Sequence, residues 1–181
     1  MGMKVLQTKW IERKFSFNFP AGYFPCILER LRGTPARVEE LITSFPPDIL
    51  TVQIDNSWSI QEHAGHLYDL DELHEARIED YDLDRPLLRP ADMTNQRTYN
   101  SHHNLNQIET LMENFRGARD HFVKRLESFD EKGLVRMAIH PRLQQEMRLV
   151  DMAYFVAEHD DHHLARITSL ANRLLHTSSP A

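Results

Sequence analysis

The segment from Leu149 to Leu175 contains no glycine and no proline, and Met152, Val156, Leu170 and Leu174 recur along it on one side of a helix. A helix of that length with a single apolar stripe has to bury the stripe against other helices, which directs the chain toward an all-α bundle. The stripe is not purely apolar. Within "AEHDDHHLAR", residues 157–166, His159 and His163 lie four apart on the buried face, where side chains become neighbours, and His162 sits at its edge. Glu158, Asp160 and Asp161 fall sideways or outward and are expected in solvent.

Three further helices complete the pattern. Residues 27–45 carry Ile27, Leu31, Val38, Leu41 and Ile42 at helical spacing, with a break expected at Gly33 and a restart at Thr34 and Pro35. Residues 59–81 open with Ser59 and Glu62 as a capping box. A third helix is predicted from Asn104, with Gln107 as capping partner, to about Phe129. Residues 10–25, "WIERKFSFNFPAGYFP", alternate Phe15, Phe17 and Phe19 with polar residues and read as an extended arm over the bundle, walling a pocket or meeting a second copy. Residues 82–103 form a polar connection long enough to suggest a function, "HPR" at 140–142 falls in another connection, and "HTSSPA" reads as a frayed tail. No strand pair is expected. The predicted fold is an all-α, antiparallel four-helix bundle with an extended N-terminal arm, one domain over residues 1–181.

The charge balance limits what such a bundle binds. Twenty-one basic residues are scattered among 27 acids for a net charge of −6, with no Lys/Arg-rich run, so neither nucleic acid nor a membrane surface is an expected partner. No apolar run approaches the roughly 18 residues of a membrane span, and the N-terminus lacks the core of a signal peptide, which predicts a cytoplasmic protein with a small-molecule substrate. Cys26 is the one cysteine. It is expected as a packed small residue, and any metal then falls to histidines and carboxylates.

Eleven histidines supply such ligands. On the second helix, "WSIQEHAGHLYDLDELH" puts His63, His66 and His74 on or beside the side marked by Ile60, Leu67, Leu70 and Ile78, and spacing does not choose among them. Buried imidazoles that converge without partners are costly, and a metal ion removes that cost. The zincin H-E-x-x-H is absent because Asp160 follows His159. The Glu-x-x-His of di-iron bundles is absent too, since Asp161 and Gly65 stand three residues after Glu158 and Glu62. A mononuclear site fits best.

The stretches "WSIQEHAGHL" at 58–67, "HPRLQQEMRLVDMAYFVAEHDDHHLARI" at 140–167 and "FPCILERLRGTPARVEELI" resemble the DinB/YfiT-like superfamily, over nearly the whole chain and least in 82–103. The resemblance implies a bundle, often a homodimer, in which a histidine early in the second helix and an H-x-x-x-H pair on the fourth hold a divalent metal. Carried over, the ligands are His66, in the matching "GHL", with His159 and His163. Zn²⁺ or Ni²⁺ is expected first, with Fe or Cu also suited to three imidazoles. His63 becomes a supporting or substrate-facing neighbour, and Asp69 and Glu62 are the expected partners of His66. Trp58, Tyr68 and Phe155 are candidate pocket residues, Trp58 foremost a packing anchor, and Arg166 is placed to meet a carboxylate. Three ligands leave a coordination position open for water or a thiol. Members of the superfamily are similar in activating a low-molecular-weight thiol for transfer, and others are described as metal-dependent hydrolases. Asp69, Glu158 and Asp160 read as pointing away from the site, which leaves water without a base. A metal-dependent thiol S-transferase is therefore the expected function, a hydrolase the alternative, and a non-catalytic metal-binding scaffold the third reading if His63 or His162 fills the open position.

Overall fold

A computed structural model describes residues 5–177. Four long helices form the bundle: Phe24–Thr43, Ile60–Asp82, Ile108–Glu127 and Leu149–Thr177. The first packs along the third and fourth, and so does the second, so that each helix has two neighbours. No helix among the described residues is long and apolar enough to cross a membrane. The end of the predicted tail, residues 178–181, lies outside the described residues.

The first helix runs unbroken through Gly33 and Pro35, where an interruption was expected. Pro35 has no N–H to offer the Leu31 carbonyl one turn back. Arg119 of the third helix supplies the missing donor, its Nη1 reaching that carbonyl at 3.3 Å. The second helix begins as predicted, with Ser59 and Glu62 making both halves of the capping box. Ser59→Ala removes the acceptor for the Glu62 N–H and the Ser59 Oγ bond to Asn104 Oδ1 at 2.7 Å. Chemical denaturation is expected to show a loss of about 1 kcal/mol.

The third helix starts four residues later than the sequence suggests. Gln61 Nε2 donates to the carbonyls of His103 and Asn106, at 2.6 and 2.8 Å, which ties a short 3-10 turn at His103–Leu105 to the second helix instead. Cys26 is exposed, not packed, because Phe24, Ile27, Leu28 and Leu31 take the inward face of the first helix.

Contrary to expectation, one strand pair is present. Strands β1, Met137–His140, and β2, Gln145–Arg148, form an antiparallel hairpin in which Ala138, His140 and Met147 are buried. The residues "HPR" carry β1 into its turn. The long connection joins this hairpin: Leu88 N–H donates to the Ile139 carbonyl at 3.0 Å, and Ile139 N–H to that of Pro86 at 2.8 Å. Farther on, it folds a short helix at Gln96–Asn100. The N-terminal arm alternates exposed and half-buried residues as predicted. Phe15, Phe17 and Phe19 lie on the core, and Arg148 Nη2 holds the Phe17 and Phe19 carbonyls at 3.1 and 2.9 Å.

The apolar core has two clusters, one around Leu31, Ile78, Phe122 and Val156, the other around Val38, Leu67, Phe115 and Ile167. Between them every bundle helix turns polar: Thr34 on the first, Asp71 and His74 on the second, Arg119 on the third, His159 and Asp160 on the fourth, all buried. Asp160, expected in solvent, is 0 % exposed. A helix packed between two neighbours buries an arc wider than its apolar stripe, and Asp160 faces that arc's edge. There it accepts from Thr34 Oγ1 at 2.8 Å and pairs with Arg119, which also holds Asp71 at 2.9 Å. Glu158 and Asp161 are only partly exposed and are paired too, Glu158 with Arg13 and with Arg30 at 2.8 Å, Asp161 with Arg30 and with Arg37 at 2.7 Å.

Candidate metal centre

Of the three histidines on the inner side of the second helix, His66 is the one whose ring meets His159 and His163. One nitrogen from each of the three lies within 4.8 Å of the others, and all three side chains are buried. The four-residue spacing on the fourth helix brings the His159 and His163 rings to 4.5 Å between centroids, tilted by 55°, with their Nε2 atoms 3.1 Å apart. His74 stays outside this group and packs on the Phe122 ring.

The outer ring nitrogens have different partners from those expected. His66 Nδ1 meets Thr98 Oγ1 at 3.0 Å, so the short helix of the 82–103 connection reaches the centre. His163 Nδ1 meets His63 Nδ1 at 2.8 Å. Asp69 instead accepts from His103 Nε2 at 2.8 Å, and Glu62 is spent on the capping box and on Gln53. His162 takes Gln7 Nε2 at 3.0 Å on the outer side. Arg166 lies half-buried, with its charge felt at His63 and His162.

Burial keeps these imidazoles neutral. It lowers His66 to about 4 against the opposing pull of Asp69, and His159 and His163 well below the usual value, where neighbouring imidazoles push the same way. His63 falls to about 3, first through burial and then through Arg166. Neutral rings are what metal binding requires, since the ligating nitrogen must carry a lone pair. Two Nε2 atoms 3.1 Å apart, joined by a third buried imidazole, have the spacing of nitrogens that share one ion at about 2.0–2.1 Å each. The residues present therefore fit a divalent transition ion.

Two tryptophans wall the centre. Trp58 lies 4.6 Å from the His66 ring and 5.5 Å from His63, so it adjoins the site as well as anchoring the helix start. Trp10, from the arm, lies 4.8 Å from His159. A cavity of about 320 Å³ opens from His66 and His159 past Leu70, Leu73 and Phe155 toward the hairpin and the long connection. Tyr68 lines a different cavity, beside His103. The sequence did not single out Trp10, Thr98, Arg77, His140 or Arg142 at this site. Trp10 alone carried a signal, as the aromatic residue at the head of the arm.

Gly65 lets His103 lie flat against the second helix beside His66, and a Cβ there would overlap the His103 ring. Gly65→Ala is expected to cost about 1–3 kcal/mol in a denaturant titration, because His103 and its bond to Asp69 must move.

A sequence search of curated proteins finds no match. Among solved structures the chain is similar to YfiT from Bacillus subtilis, described as a probable metal-dependent hydrolase with an unusual four-helix bundle topology. The TM-score is 0.71 at 17% identity, over 90% of this chain and 94% of that one. The family profile of the DinB superfamily matches residues 30–167, from the first bundle helix to past the paired histidines of the fourth, and the chain belongs to that superfamily.

Proposed function

We propose that this chain is a metal-dependent enzyme for a small molecule, in which His66, His159 and His163 hold one divalent ion, Zn²⁺ or Ni²⁺ foremost. The observation that carries the reading is three convergent, neutral, buried imidazoles at the end of a ligand-sized cavity. An ion there supplies Lewis acidity, which lowers the pKa of a thiol or a water so that it reacts as its anion near neutral pH.

The protein's own part is orientation and exclusion. His163 Nδ1 lies 2.8 Å from His63 Nδ1 and His66 Nδ1 3.0 Å from Thr98 Oγ1, contacts that would take up the Nδ1–H of these two rings and leave their Nε2 atoms for the ion, while His159 Nδ1 has no partner. Trp10 and Trp58 keep bulk water off that face.

Thiol transfer to an electrophile is the favoured reaction. A hydrolase usually pairs its water with a free carboxylate, and the acids nearest the cavity are occupied. Asp69 is held by His103, Asp160 by Arg119 and Thr34, and Asp92 by the N–H groups of Thr94 and Gln96. A thiol forms its bond to the electrophilic carbon while the leaving group departs with the electron pair, and no water-activating base takes part. Hydrolysis is the second reading, supported by the description of YfiT. Metal-loaded protein offered a thiol with alkyl halide or epoxide electrophiles is expected to consume thiol and electrophile one for one. Ester or amide cleavage without thiol consumption would favour the hydrolase.

A further inference from the structure

Two arginines in the cavity wall make no ion pair among the described residues. Arg77, 2 % exposed, gives its Nε–H to the Arg89 carbonyl at 3.1 Å, and Arg142 Nη1 reaches the Ile11 carbonyl at 3.5 Å. Asp80, the acid whose charge reaches Arg77, is paired with Arg89 and Arg85 instead. Arg142 Nη2 is buried without any partner. Burial brings Arg77 down to about 10 against the opposing pull of Tyr81 and Asp80, and the nearby charge of Arg142 pushes it further the same way. The rings of Trp10 and Phe155, each 5.7 Å from the Arg142 guanidinium, offset only part of that cost.

A third donor faces the same space. His140 Nδ1 accepts from the N–H groups of Arg142 and Leu143, at 3.3 and 3.2 Å, so the ring proton is assigned to Nε2. That Nε2 is buried and has no partner. Three donors thus face one cavity whose lining carboxylate, Asp92, is turned to Thr94 and Gln96. Buried donors of this kind are costly until an anion satisfies them.

We propose that Arg77, Arg142 and His140 form a clamp for the carboxylate of a small, otherwise apolar substrate whose reacting end lies at His66 and His159. The assignment of substrate class rests on the cavity being the substrate site of the enzyme proposed above. Phe155 and Trp10 bridge the two ends: Phe155 is 4.9 Å from His140, and Trp10 is 4.8 Å from His159. Leu70, Leu73, Pro90 and Met93 give the space between an apolar lining. A planar monoanion matches paired guanidinium forks, whereas a phosphate dianion would meet the charge of Asp92 at the rim.

The test is calorimetric titration of the full-length chain as purified, with 3-phenylpropanoate, its neutral amide and inorganic phosphate. The carboxylate is expected to bind at least about tenfold tighter than the amide, and Arg142→Met to abolish the preference. Arg142 is only half-buried, so that variant should fold, and Arg77→Met provides a second reading where circular dichroism shows native helix. Equal binding of acid and amide, no binding of either, tighter binding of phosphate, or a preference that survives Arg142→Met would each overturn the clamp. Metal uptake is measured separately. A chain that takes up no metal yet prefers the carboxylate loses the metal reading and keeps the clamp, and one that binds an equivalent of metal without that preference loses the clamp alone.

Discussion

Arg119→Met is expected to lower the unfolding free energy by about 3–5 kcal/mol in a denaturant titration, the largest stability loss predicted for any single side chain of this fold. Arg119 is 1 % exposed and stands between Asp71 and Asp160, both buried, while its Nη1 also fills the carbonyl that Pro35 leaves open. Methionine matches much of the volume and none of the charge. The two carboxylates would then share a dry layer with no cation. Burial already raises Asp71 to about 6 in the presence of Arg119, whose charge opposes the shift. An acid raised in the folded state binds its proton more tightly there than in the unfolded chain, so its contribution to stability is present at low pH and lost as pH rises through the folded value. Removing Arg119 lifts that value further, so the deficit of Arg119→Met should shrink as pH falls toward about 6, where Asp71 holds its proton with or without the arginine. A deficit that is small, or that grows toward acid, would show that the layer does not depend on this cation.

His163→Ala is expected to reduce metal content from about one equivalent to near zero by elemental analysis, with the helical circular dichroism retained, and His159→Ala and His66→Ala to do the same. Loss of a ligand should cost more than the 10–100-fold in affinity typical of an outer partner. His63→Ala and Thr98→Val remove only the acceptors of His163 and His66, and they are expected to fall within that smaller range. The graded series separates holding the ion from positioning the holders. Full metal content in a His159, His163 double variant would refute the site.

Much of this arrangement could be read directly from the sequence because it follows from local periodicity. The stripes of the long helices, the Ser59 capping box, the alternation of Phe15, Phe17 and Phe19, and the pairing of His159 with His163 each depend on residues close in the chain. What escaped depends on distant partners. The first helix continues through Pro35 with Arg119, from the third bundle helix, supplying the missing donor. Asp160 turns inward because Arg119 and Thr34 receive it, and an apolar stripe alone gives no sign of that. The His66 partner comes from the connection, where no periodicity exists to be read, and the strands of the hairpin, four residues each, are too short for period two to register.

The buried polar layer also fixes how the helices line up along the bundle axis. Four amphipathic helices with similar stripes can slide past one another by a turn, about 5.4 Å, and still bury apolar surface. Here any such slip would carry Arg119 into the Phe115 or Phe122 end of the core and strand Asp71 and Asp160 without a cation. Misaligned packings are thereby penalised one by one, and the alignment that survives is the one that brings His66 level with His159 and His163.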